Sequence, residues 1–240
     1  MSLYNAWTAC CATLKPQAQG DCGLYSFWYA TVLLHQLDSA KPIVYPRKME
    51  DPQNQQSMRR EAKQLVRSGQ GELLNVKEMT TVINHFGYSC NTMTGTDDDW
   101  RKRFITNSLG SNWPVLFPYT KGAQGPVDAA TAAGVAGDDY GSHWSLIIKE
   151  DPNEYVYLDP HYPDTPQIKT KDAVLKSNKN VDLQVYERMW VKLLSAKAKV
   201  GTIGGQSQNQ NTVPYNGKTY DIAQPGRGPQ SLAGVLVAVY

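Results

Sequence analysis

The order of amino acids predicts an α+β fold in which an N-terminal helical lobe packs against a C-terminal antiparallel β-sheet. Three observations carry this. Apolar residues recur at helical spacing before about residue 110 and gather into short β-rich runs beyond it, so helices and strands are segregated rather than alternating. Two of those runs, residues 142–148 and 155–158, flank Glu150-Asp151-Pro152-Asn153, which is β-hairpin chemistry. Residues 232–240 form a Val/Leu/Ala run suited to a core strand that closes the sheet. The expected organisation is a single domain of 240 residues, with a helical lobe at about 15–110 and a β lobe at about 111–240.

Taken in order, residues 1–21 read as an irregular leader punctuated by Pro16 and Gly20. A helix is expected from Gly23 to about Asp38, with Leu24, Phe27, Trp28, Thr31 and Leu34 as its buried stripe. Prolines and a polar Gln/Asn run make residues 39–57 a loop, and a short charged helix should cover 57–67. Val76, Met79, Val82, Ile83 and Phe86 define a helix over about 75–86, stopped by Gly87, with a strand near 88–93. Asp97 to Asp99 suit the cap and acidic first turn of a helix reaching Leu109. A strand is expected over 113–119, a functional loop over 120–141, and another strand over 184–194. Residues 200–230 hold little to bury.

Composition narrows the function. A net charge of +2, with 41% hydrophobic and 19% charged residues, suits a globular protein and gives no field for nucleic acid or a membrane surface. No apolar run approaches the roughly 20 residues that cross a bilayer, and no secretory signal opens the chain. A cytoplasmic protein is therefore expected. Four cysteines without a C-x-x-C pattern argue for reduced thiols rather than a disulfide framework or a thiolate metal site.

The candidate chemistry begins at Gln17-Ala-Gln-Gly-Asp-Cys22-Gly. A cysteine opening a helix meets unpaired N–H groups and the positive end of the helix dipole, which should lower its pKa. Gly20 and Gly23 leave the approach to the sulfur open. The Cys22 N–H and a side-chain amide from Gln17 or Gln19 could stabilise an oxyanion. His143 starts the first hairpin strand, and Asp159 lies sixteen residues later at the end of the second. A hairpin sets those two positions side by side, where a carboxylate fixes an imidazole's tautomer and stabilises its cation. A lone Cys opening a helix or a lone His starting a strand reads as structural. An ordered Cys, His and Asp reads as a triad of Cys22, His143 and Asp159.

Gly23 and Trp144, next to nucleophile and base, are the candidate substrate-binding residues. A mixed metal site of His143, Asp159 and His161 is the competing reading. It leaves Cys22 and the glutamines unexplained, so no metal or other cofactor is expected. His35 and His85 fall on helices, as surface or satisfied core residues, and Cys90 reads as a small buried hydrophobe.

At these residues the chain resembles the papain-like cysteine peptidase superfamily. Asp-Cys-Gly and the His-to-Asp-Pro step look like the bacteriocin-leader-processing peptidases. The Gln17-to-Cys22 spacing, Cys-Gly-Leu and His-Trp look more like the actin-maturation type of aminopeptidase. The resemblance spans about residues 15–160. It implies a cleft between helical lobe and sheet, with Cys22 as nucleophile, His143 as base then acid, Asp159 as orienter and Gln17 as oxyanion-hole donor. Gln17 stands five residues before the cysteine where papain itself has six. Gly204-Gly205 resembles the double glycine that leader peptidases cut after.

The expected activity is cleavage of a peptide or protein amide through a thioester acyl-enzyme. A deamidase or acyltransferase would use the same triad. A cell-wall amidopeptidase would favour Asp-Cys-Ser-Gly, which is absent here, and a non-catalytic peptide-binding module would have no need of an intact triad.

Overall fold

The computed structural model describes residues 1–17, 21–46, 58–66, 73, 76–122, 125–126, 141–179, 181, 212–215, 218–221 and 232–240. The leader is not irregular. Leu3–Cys10 form helix α1, capped by the Ser2 side chain and followed by a 3-10 turn at Cys11–Thr13. Leu3, Ala6, Trp7 and Cys10 are its buried residues, a spacing of three and four that places them on one face.

Helix α2 runs Cys22–Leu37, as its composition predicts, but it is more than amphipathic. Gly23 through Leu34 are all buried, because the helix lies between α1 and the sheet. Helices α3 (Met58–Leu65), α4 (Val76–His85) and α5 (Asp98–Gly110) follow, with strand β1 (Cys90–Met93) between the last two. The Asp97 carboxylate accepts the Trp100 N–H, so the acidic cap forms as expected. His35 Nδ1 lies 2.7 Å from the Lys41 carbonyl and His85 Nε2 3.7 Å from Glu61, which accounts for both histidines.

Strands β2 (Val115–Gly122), β3 (Gly125–Pro126), β4 (Gly141–Glu150), β5 (Glu154–Leu158) and β6 (Gln167–Thr170) come next, then helix α6 (Lys171–Lys179). A small hairpin, β7 (Thr212–Tyr215) with β8 (Lys218–Asp221), and the terminal β9 (Leu236–Val239) complete the described elements. Strand β2 therefore runs three residues past the expected end, into the segment read as a loop. The rest of that loop, at 123–124 and 127–140, and the strand expected over 184–194 lie outside the described residues, as do Gln19, Gly20 and Gly204-Gly205.

The main sheet is antiparallel, in the order β1-β9-β2-β4-β5-β6, with β3 paired to β2. The last strand sits inside the sheet, between β1 and β2, and its four residues are fully enclosed. The period-two alternation of side chains sorts the core into two layers. Trp144, Leu146 and Ile148 of β4 join the helices of the N-terminal lobe, whereas Ile147 joins Ile105 of α5 and Val174 and Leu175 of α6 on the other face. The fold is α+β with N-terminal helices against an antiparallel sheet, and α5 and α6 cover the face that a two-lobe picture leaves bare. Arg101 of α5 is fully buried there, donating to the Leu175 carbonyl and to Asn178 Oδ1 and pairing with Asp98.

No helix among the described residues is long and apolar enough to cross a membrane.

Candidate active site

The site gathers where β5 stops. Strand β5 pairs with β4 from Leu146 outward, so Trp144 has no β5 partner. Its main-chain groups bond to α2 instead. The Trp144 N–H donates to Cys22 Sγ at 3.4 Å, and Ser26 Oγ donates to the Trp144 carbonyl at 3.0 Å. Cys22 and Ser26 are one helical turn apart and share a face, so the first turn of α2 grips a single residue of β4. That residue directly follows His143.

Residues β4 and β5 contribute to the other face meet across the sheet. Asp159 Oδ1 accepts from His143 Nε2 at 2.9 Å, in a buried pair. The same oxygen accepts the His161 main-chain N–H at 2.8 Å and lies 3.3 Å from His161 Nδ1. Oδ2 accepts the Tyr119 hydroxyl at 3.2 Å. Tyr119 stands beside His143 in the β2–β4 register, with the two rings edge to face at 5.5 Å. The imidazoles of His143 and His161 are stacked, 4.9 Å apart and 17° from parallel. The expected hairpin juxtaposition of His143 and Asp159 is thus present, with two further residues added to it.

Electrostatics divide the two halves. Burial works against ionisation of Asp159, but hydrogen bonds from His143 and His161 and the His143 charge outweigh it, holding the carboxyl far below the usual carboxylate range. Cys22 goes the opposite way to the sequence expectation. Burial pushes its thiol up to about 11, against hydrogen bonds from the Trp144 and Gly23 N–H groups, and the nearby Asp21 and Asp159 carboxylates add to the rise. A helix N-terminus lowers a thiol pKa only when it outweighs desolvation. Here Asp21, fully buried at the N-cap and 3.4 Å from Arg59 of α3, adds a like charge beside the sulfur.

This has a measurable consequence. Alkylation of Cys22 by iodoacetamide should keep accelerating above pH 9, without the neutral-pH plateau of a preformed thiolate. Asp21→Asn should raise the rate several-fold at a fixed pH, read by mass spectrometry of the labelled peptide. The sign for stability is the reverse of a carboxylate's. The unfolded thiol ionises near 9.0 and the folded one near 11, so this group costs stability only as pH rises beyond 9.

Gln17 meets the site through its main chain, donating N–H to the Pro160 carbonyl at 2.6 Å. Tyr29 Oη of α2 lies 2.7 Å from the Lys15 carbonyl and 3.3 Å from that of Pro160, so the segment before Cys22 is tied to the residue after Asp159. Gly23 and Trp144 face inward. A Cβ on Gly23 would stand 3.2 Å from both Leu73 and the Trp144 ring, and the indole N–H donates to the Leu73 carbonyl at 2.7 Å. Trp144 therefore presents its main-chain N–H to Cys22, and its ring packs against Gly23 and Leu73. Cys90 is half-buried on β1 with Sγ 4.0 Å from Asn84 Oδ1, and the only Cys in contact with β4 is Cys22 among the bonds described.

Ser26 and Tyr119 are not among the site residues that the sequence suggests, and His161 is suggested only as a metal ligand. Ser26 carries a legible signal, since it lies four residues after Cys22 on the same helix. Tyr119 carries none, because its place beside His143 depends on a pairing between strands separated by residues 123–140. No protein-family model matches the chain, and no curated protein matches it significantly.

Proposed function

We propose that the chain is a papain-like cysteine peptidase acting on a peptide or protein amide. The observation that carries this reading is the pair of bonds around β4: Cys22 Sγ on the Trp144 N–H, and the preceding His143 with Nε2 on Asp159. Asp159 engages Nε2, which leaves Nδ1 as the nitrogen that takes the thiol proton in this mechanism.

In this mechanism the resting thiol is neutral, and His143 activates it as a general base at the moment of attack. The proton passes from Sγ to Nδ1 while sulfur bonds to the carbonyl carbon. Asp159, already ionised, stabilises the imidazolium that results. The Cys22 N–H and the Gln17 side-chain amide receive the developing oxyanion. Collapse breaks the C–N bond, and the imidazolium gives its proton to the leaving amine. Water, deprotonated by His143, then hydrolyses the thioester and restores the thiol.

A peptide library incubated with the protein and read by mass spectrometry tests the reaction class. Cleaved peptides, lost with Cys22→Ala, are the expected result. A small mass gain at glutamine without cleavage would replace hydrolysis of the backbone by deamidation, and an amine adduct would mean acyl transfer. Unchanged peptides together with retained peptide binding would reduce the chain to a binding module.

A further inference from the structure

The cluster around Asp159 has more donors than a Cys-His-Asp triad needs. His143 Nε2, one Asp159 carboxylate oxygen and His161 Nδ1 all lie within 4.8 Å of one another. Zinc bound at about 2.0–2.1 Å holds its ligand atoms roughly 3.3 Å apart in a tetrahedron. Two separations in the cluster, 2.9 Å for His143 to Asp159 and 3.3 Å for His161 to Asp159, are close to that value. The two imidazoles already converge on one oxygen, so an ion taking the place of their two contacts needs a turn of the His161 ring but no new ligand.

Supporting contacts are in place as well. Tyr119 holds Oδ2 and the His161 main-chain N–H holds Oδ1, which fixes the carboxylate from outside the triangle of ligands. His143 and Asp159 are buried, whereas the His161 side chain is 42% exposed. The cluster therefore has one wall open to solvent, where an ion enters and a water completes its shell. Exposure also lets the His161 ring turn out of its stack to aim Nδ1 at a shared ion.

We infer that His143, Asp159 and His161 form an inhibitory site for a borderline-soft divalent cation, with zinc, which takes two imidazoles and a carboxylate and leaves a fourth position for water, as the candidate ion. The inhibition rests on the peptidase reading above. Zinc on Nε2 consumes that lone pair and moves the imidazole proton to Nδ1. The nitrogen that must accept the thiol proton then already carries one, and Cys22 stays a neutral thiol. The tautomer shift relocates a proton and releases none, so no further reactant is required. His161 acts here as a metal ligand.

Cobalt(II) added to the reduced full chain gives a spectroscopic readout that does not depend on turnover. The expected result is a visible d–d absorption in both the natural chain and Cys22→Ala, displaced by zinc. His161→Ala should weaken cobalt affinity by about tenfold or more, and His161→Gln asks the same question if the alanine form does not fold. Absence of the absorption overturns the site. So does an absorption kept in the His161 variants and lost in Cys22→Ala, which would mark a thiolate site instead. With the site present, zinc at saturating cobalt-competing concentration should suppress peptide cleavage at least tenfold, reversed by a chelator. Cobalt binding without any metal-free cleavage would sink the peptidase reading and leave the site standing, and cleavage with no cobalt binding would do the reverse.

Discussion

Cys22→Ala should reduce turnover to background, a loss on the order of 10⁶ where a nucleophile and base act as a unit. Its fold should survive. The side chain is half-buried, and its sulfur accepts hydrogen bonds from the main-chain N–H groups of Trp144 and Gly23. Removing that acceptor costs about 1 kcal/mol, which lowers the melting midpoint of a chain this size by roughly 2–4 °C. Ser26 still holds the Trp144 carbonyl, so α2 keeps its grip on β4. Cys90→Ala is the matched control: it removes a thiol remote from β4 and should leave turnover unchanged. Peptide cleavage and thermal unfolding, measured on both variants, give a clear reading. Full activity in Cys22→Ala would end the assignment of the nucleophile.

Asp159→Asn should cut turnover by on the order of 10⁴, the size seen when a triad carboxylate becomes an amide. The arithmetic of donors explains the magnitude. His143 Nε2, the His161 main-chain N–H and the Tyr119 hydroxyl all donate to Asp159, and His161 Nδ1 lies against it. An amide has one acceptor oxygen in place of two. Either Tyr119 must turn its hydroxyl round, or His143 must face an N–H and take the wrong tautomer. Loss of a hydrogen bond to a buried charged group should also cost roughly 1.5–3 kcal/mol of stability at neutral pH.

The pH dependence of that cost follows from its sign. The folded carboxyl is held below its ordinary value, so its stabilising contribution is complete above the unfolded pKa of about 3.9. It declines as pH falls below that point. Denaturant unfolding at neutral pH and near pH 3 should therefore show the gap between the natural chain and Asp159→Asn shrinking in acid. A gap that widened in acid would mean that Asp159 is not the stabilised anion.

Much of this site is local in origin, and that is why it can be read early. His143 and Asp159 meet because one hairpin turn connects their strands. The start of α2 at Cys22 and the cap at Asp97 depend on residues within one turn. Helix α1 was equally legible, since Ser2 caps it and Leu3, Ala6, Trp7 and Cys10 keep helical spacing. Pro16 and Gly20 mark only the break after it. The ends of β2 were harder, because Pro118 and the Gly-rich segment beyond disguise a strand. Pro118 is tolerated inside the sheet because β9 pairs with β2 only at Val115 and Leu116, which leaves no ladder partner waiting for the missing N–H on that side.

By itself, then, the amino-acid order determined the helix that carries Cys22, the hairpin that joins His143 to Asp159, and the α+β division of the chain. These are consequences of periodicity, capping and one short turn. The tertiary structure alone decided that β9 enters the sheet between β1 and β2, that Tyr119 and His161 crowd the carboxylate, and that α2 holds Trp144 by its main chain. It also decided the state of Cys22. The helix start favours a thiolate, but burial beside Asp21 and Asp159 favours the thiol, and desolvation is a property of the surroundings that no local pattern records.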